Sequence, residues 1–307
     1  MSKPILMIAG SDIDHFYEIE DFVTAGDVSM AKPVGKKIGG CVLNTAVVAA
    51  SKGDQVRVID YLRAEDKDTE LLVNGLKERK VDTSFIQYDK DVTNGNCLIM
   101  SKGNEKCIYV IEPERPYFKY DESLKGLLNG SGYIYSLLHT LKISFENMQP
   151  IRNARKKGAK MIFDGAGHYH SKEETDLLLE LADGLFINKQ SYKRLCDVHE
   201  SDFKDDLLAK GGNFICITDG ENGADCYIKG NSYHADSLKV KVVDSTGAGD
   251  SFAGCFLHCL NDGMSYEKCL RLASVSGAYA CTGFGGMYAC VDMETLEKFA
   301  NDNHYEI

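Results

Sequence analysis

Short apolar runs recur along the chain, each separated from the next by stretches of helical spacing. The runs are ILMIAG (5–10), VRVIDYL (56–62), YIYSLL (133–138), KMIFDG (160–165), GLFIN (184–188) and FICITDG (214–220). Between them lie Asp68 to Lys80, Ser144 to Lys157 and Ser171 to Ala182, where apolar residues return every three or four positions. Strands that are apolar throughout must be covered on both faces, and helices between them supply the cover. The pattern therefore predicts βαβ units around a mostly parallel sheet. Helices over Ser265 to Cys281 and Asp292 to Asn301 would close the domain. A chain of 307 residues buries about three quarters of its unfolded surface, so it needs no disulfide to hold its core.

Two segments break the alternation, roughly Asp12 to Lys37 and Asn94 to Glu114. The second contains NGNCLIMSKGNEKCIYVIE, which reads as a hairpin turning at Gly103 and Asn104. Together they are expected to form a small β appendage that covers a site at the sheet edge. Its exposed edges would let two copies of the chain pair as a homodimer.

The charge balance narrows the partners. Thirty-five basic against forty-six acidic residues leave a formal charge of −11, the wrong sign for a phosphate-backbone binder, so no nucleic-acid partner is expected. MSKPILMIAG is too short an apolar run for a signal peptide or a membrane span, and no longer run follows. The eleven cysteines are odd in number, scattered and without a Cys-x-x-Cys pair, which predicts reduced core residues in a cytoplasmic protein. An anionic ligand would need a local binding device.

VVDSTGAGDSFAGCFLHCL (242–260) offers one. Gly247, Ala248 and Gly249 leave a strand-like run, LKVKVVD, and open a helix over Asp250 to Leu260. A helix start carries unpaired N–H groups and about half a positive charge, and small residues let an anion reach them. The Gly-x-x-x-x-Gly-Lys-Ser/Thr phosphate loop is absent, and the Gly-x-Gly-x-x-Gly fingerprint fails because Gly254 is the next glycine after Gly249. The failed fingerprint disfavours a nicotinamide oxidoreductase. Asp250 reads in two ways on the residues alone: as an acid that favours the helix start, or as a base that takes the proton of a group attacking the bound anion.

The stretch Asp244-Ser245-Thr246-Gly247-Ala248-Gly249-Asp250-Ser251-Phe252 resembles the signature Asp-Thr-x-Gly-Ala-Gly-Asp-x-Phe of the PfkB, or ribokinase-like, family of carbohydrate and nucleoside kinases, departing only at Ser245. IGGCVLNTAVVAASKG is similar to a second family motif at Gly39, Gly40 and Asn44, with Gly53 at the helix end. GSDIDHF places Asp14 where relatives bind substrate, with the preceding glycine shifted by one residue. ITDGENGA matches Thr-x-Gly-x-x-Gly at Thr218, Gly220 and Gly223.

The resemblance implies a ribokinase-like three-layer α/β/α domain over residues 1–307, with a β lid formed by about 12–37 and 94–114. It implies transfer of the γ-phosphoryl group of ATP, with Mg2+, to a hydroxyl of a sugar or sugar derivative. Asp250 would be the base, and Gly247, Ala248 and Gly249 the anion hole. Asp14, Gly39, Gly40 and Asn44 would hold the acceptor, and Asn188, Thr218, Gly220 and Gly223 the nucleotide. Asp244 stands where many relatives bind a monovalent cation, which points to K+. A nucleoside acceptor and a non-catalytic ligand-binding relative are the alternatives.

The chain departs from the family in several places. Asn-x-x-Glu reads Asn188-Lys189-Gln190-Ser191, without the glutamate. Asp-x-Asn-x-Arg reads Asp164-Gly165-Ala166-Gly167-His168, and Gly-x-Asp-x-x-Gly survives only as Ala64-Glu65-Asp66-Lys67-Asp68-Thr69. Other clusters read more blandly. His168 and His170 have no third metal ligand nearby, Cys255 and Cys259 form a buried helical stripe, and Lys32, Lys36 and Lys37 lie in a solvated turn.

Overall fold

The computed structural model describes residues 3–103, 105–165 and 169–307. An eight-stranded sheet runs, in spatial order, Asn231–Ala235, Ala224–Ile228, Phe214–Thr218, Gly184–Asn188, Lys160–Asp164, Tyr133–Ser136, Ile5–Ile8, Val56–Ile59. The strands from Phe214–Thr218 to Val56–Ile59 are parallel, and the remaining two form an antiparallel end. All six apolar runs supply strands of this sheet.

Period-two alternation divides each strand between two cores. Ile5 and Met7 pack on the helices Cys41–Ser51, Ala248–Asn261 and Tyr266–Ala280, while Leu6 and Ile8 pack on Glu122–Gly130, Gln149–Lys156 and Lys172–Leu181. The result is three layers, α/β/α. The chain enters at Ile5–Ile8, moves to one side at Val56–Ile59, then crosses back to Tyr133–Ser136. Such a reversal is where open α/β sheets take ligands, outside the carboxyl ends of the strands, here beside Ile8.

A separate four-stranded sheet, Ala31–Gly39, Asp12–Ile19, Gly95–Lys102, Glu105–Ile111 in that order, is built from the two segments that broke the alternation. Asp12, Asp14 and Phe16 alternate along its second strand, opposite Gly39, Lys37 and Gly35 on one side and Gly95, Cys97 and Ile99 on the other. Cys97 and Ile99 are buried, whereas Glu105–Ile111 is exposed throughout. Gly103 takes a left-handed φ of 59° at the hairpin turn, and Asn104 lies outside the described residues.

Several expectations are corrected. VRVIDYL splits after Ile59, because the Asp60 carboxylate accepts from the backbone N–H of Ser11 and of Tyr61, and Tyr61–Arg63 instead pairs with Gln87–Asp89. LKVKVVD is not a strand: Asn231–Ala235 ends the sheet, and Val242 and Val243 stay exposed, with Val243 N–H bonded to Cys281. The helix expected from Ser144 begins at Gln149, with Pro150 in its first turn, and Ser144 ends the preceding helix Leu138–Ser144. AKPVGKK is an edge strand rather than a turn. Among the described residues, no helix is long and apolar enough to cross a membrane.

Candidate active site

Two helix starts face each other at the carboxyl edge of the large sheet. Gly40, with φ of 95°, precedes Cys41–Ser51, and a methyl group there would press on the Gly10 carbonyl at 2.9 Å. Gly247, with φ of 76°, precedes Ala248–Asn261, and a methyl there would lie 2.5 Å from Gly286 Cα. Both positions require a backbone that side chains disfavour and an approach that side chains block. The two helices then touch through Gly254, whose absent side chain would meet the Thr45 carbonyl at 2.7 Å and Val48 Cβ at 2.8 Å. Gly249 borders open space, while the Ala248 N–H before it donates to the Ser245 carbonyl at 3.3 Å.

This packing joins Asn44 to Asp250. Asn44 Nδ2 donates to Asp250 Oδ2 at 2.7 Å, and Thr45 Oγ1 donates to the Asp250 carbonyl at 3.3 Å. Burial, with help from the Asp164 and Asp14 charges, raises the Asp250 carboxyl to about 7 against the opposing Asn44 bond. Asp164 ends its strand nearby and accepts from Tyr135 Oη at 3.0 Å. Ala166 to His168, which follow it, lie outside the described residues, and with them the His168 half of the histidine pair.

The small sheet supplies the opposite wall. Asp14 lies over Gly39, where a methyl would stand 2.5 Å from its Cγ, and burial raises its carboxyl above the usual range. Asp12, two residues earlier on the same face, was missed by sequence reasoning. Burial and the Asp14 and Asp60 charges raise it to about 7. The Cys97 thiol bonds to both carboxylates. The two-residue spacing of Asp12 and Asp14 was the available signal.

A second missed feature lies beneath them. Asp60 is fully buried and accepts from Ser11 N at 2.9 Å, Ser11 Oγ, Tyr61 N at 2.8 Å and Arg115 Nη1. Arg115 also reaches Ser144 Oγ at 3.4 Å, while its Nε is buried without a partner.

On the other flank, Asn188 and Thr218 are register partners at the ends of adjacent strands. Gly220 and Gly223 take φ of 55° and 88° in the loop that follows, and a methyl at Gly223 would overlap the Ala235 carbonyl. Asn188 Oδ1 accepts from Ser191 N at 2.8 Å, and Lys189 pairs with Asp219 at 2.6 Å. Asp244 precedes the glycine turn. Its burial is outweighed by bonds from Thr246 Oγ1 (2.7 Å), Thr246 N (3.0 Å) and Gly285 N (3.0 Å), which hold its carboxyl below the ordinary range.

The expected residues thus fall into one wall (Asp14, Gly39, Gly40, Asn44), a helix start (Gly247, Ala248, Gly249, Asp250) and a strand-end flank (Asn188, Thr218, Gly220, Gly223). The Asn44–Asp250 bond links the first two directly. No group of three or more His, Cys, Asp or Glu residues placed to hold a metal occurs among the described residues.

A model of the pfkB family carbohydrate kinases matches residues 5–293. The chain is 24% identical over 288 residues to the aminoimidazole riboside kinase of Salmonella typhimurium, covering 86% of this chain and 88% of that protein. It is 24% identical over 307 residues to the ribokinase of Haemophilus influenzae, covering 97% and 98%. Arabidopsis thaliana ribokinase, solved with ribose and ATP, superposes with a TM-score of 0.82 at 21% identity, covering 97% of this chain and 99% of that one.

Proposed function

Because the chain belongs to the pfkB family of carbohydrate kinases and is an ATP-dependent phosphotransferase acting on a sugar or nucleoside hydroxyl, we propose the following division of labour among its residues. Asp14, Gly39, Gly40 and Asn44 hold the acceptor, and Asp250 takes the proton from its attacking hydroxyl. The observation that carries this reading is the 2.7 Å bond from Asn44 to Asp250 Oδ2, which ties an acceptor-binding side chain to the base. A carboxyl raised to about 7 is half ionised near neutral pH, where a general base works best. The amides at Gly247, Ala248 and Gly249 receive the γ-phosphate and stabilise its charge, the Ala248 N–H giving up its long bond to the Ser245 carbonyl. Asn188, Thr218, Gly220 and Gly223 line the rest of ATP.

The residues present do not offer Mg2+ a protein carboxylate cage. Asn188 caps its own helix, and Ser191 stands in the place of the family glutamate. Mg2+ would therefore enter on the ATP phosphates and keep its waters. Asp244 stays ionised and fits a monovalent cation such as K+.

The acceptor is a sugar or sugar derivative, with a nucleoside as the alternative. We place the enzyme in the reducing cytoplasm, as eleven free thiols favour. The small sheet acts as a lid, and its exposed edge strand, with Ile108, Tyr109, Val110 and Ile111, supports pairing of two lids in a dimer. A monomer by sedimentation at micromolar concentration would remove the dimer. An ADP-release screen over sugars, sugar acids, polyols and nucleosides, with and without K+, tests the reaction. Acceptor-dependent ADP formation that Asp250→Asn abolishes is the expected result. ATP binding without turnover on any acceptor would instead mark a non-catalytic relative.

A further inference from the structure

We propose that Lys106 is the cation that the small sheet delivers to the γ-phosphate of ATP, an inference that rests on the anion-hole reading above. Lys106 lies on the edge strand Glu105–Ile111, opposite Ser101. Val110, Ile108 and Lys106 alternate on the face shared with Cys97, the thiol that bonds Asp12 and Asp14. From there Lys106 Nζ crosses to the large domain and donates to Thr246 Oγ1 at 2.8 Å, one residue before Gly247. Its charge favours the ionised form of both Asp14 and Asp244.

Electrostatics gives that placement its purpose. A helix start contributes only about half a positive charge, while Asp14, Asp164 and Asp250 all oppose an incoming phosphate. A lysine ammonium carries three donors on a flexible stem, so it can keep Thr246 and still reach a phosphate oxygen. Lys102, in the same sheet, pairs with Asp21 instead and serves as the control.

The test compares ATP with ADP by titration calorimetry, without acceptor, for wild type, Lys106→Met, Lys106→Gln, Lys106→Arg and Lys102→Met. Loss of the Lys106 charge should weaken ATP by about ten- to hundredfold and leave ADP nearly unchanged. Lys106→Arg should keep most of the preference, and Lys102→Met all of it. With an active acceptor, kcat of Lys106→Met should fall on the order of a hundredfold. Lys106 is exposed, so the variants should melt with the wild type, and Lys106→Gln replaces Lys106→Met if the latter does not fold. Equal weakening of ATP and ADP, or an unchanged ratio between them, overturns the proposal. Because binding is read without turnover, a failure to find any acceptor would sink the kinase reading and leave this result standing.

Discussion

Replacing Asp250 by Asn separates what its carboxylate does for catalysis from what it does to the fold. The isosteric amide can still accept from Asn44 Nδ2, so the helix contact should persist. Loss of the base should lower kcat by about two to four orders of magnitude, with ATP affinity largely kept. The same change should stabilise the protein. A carboxyl raised from 3.8 to about 7 is neutral in the fold over a range where it is already charged in the unfolded chain. Its stabilising contribution is therefore complete below about pH 3.8 and is lost as pH rises to about 7. At 1.36 kcal/mol per pKa unit the loss is at most about 4 kcal/mol, because solvent at the site mouth screens part of it. Asp250→Asn should thus melt several degrees above wild type at pH 8 and by less at pH 5. In the wild type, kcat/KM should rise with pH to a plateau above about 7. Coupled ADP release and thermal melts at both pH values read all of this. Near-wild-type turnover of the variant, or an equal melting gain at pH 5 and pH 8, would refute the reasoning.

The remaining expectations concern the walls of the site. Gly39→Ala sets a methyl 2.5 Å from Asp14 Cγ and should displace that carboxylate, raising the acceptor KM on the order of tenfold or more while the ATP KM stays put. Steady-state kinetics with each substrate varied decide it. Arg115→Met strands the buried Asp60 charge and should cost about 3 to 5 kcal/mol in denaturant unfolding. Adding Asp60→Asn should recover part of that loss, and additive losses would count against the pairing. Ser191→Glu restores the family glutamate and should lower the Mg2+ concentration for half-maximal rate, which a Mg2+ titration at fixed ATP measures.

Legibility in the sequence followed the physics of each element. The six parallel strands of the large sheet were legible because burial on both faces makes them continuously apolar, as at Ile5–Ile8, whereas the half-exposed antiparallel strands Ala224–Ile228 and Asn231–Ala235 carry no such run and were missed. The small sheet showed itself as a failure of that pattern. LKVKVVD misled because apolar alternation does not reveal whether a sheet edge is available, and Asn231–Ala235 had taken that edge. Asp250 stood out through its glycine context. Asp60 and Arg115 could not, since a pair 55 residues apart leaves no local period. Nothing in the local sequence sets Lys106 apart, and only the folding of its hairpin over Thr246 gives it a neighbour.

Asp60 also explains how an exposed sheet can hold an accurate site. Ser11 immediately precedes the strand Asp12–Ile19, and Arg115 follows Glu105–Ile111 by four residues, so this one carboxylate grips the first entry to the small sheet and the last exit from it. The bonds at this root are buried and charge-assisted, the kind that resist exchange with water. At the far end the contact is of another kind, Lys106 on Thr246 near solvent, whereas Lys37, over the Phe284 ring at 3.8 Å, lies level with Asp14. Ammonium contacts near solvent break and reform easily. The carboxylates nearest the root, Asp12 and Asp14, are therefore held by buried bonds, while the tip that carries Lys106 is held by an exposed one. On the proposed division of labour, acceptor geometry is set at the root of the sheet and substrate access at its tip.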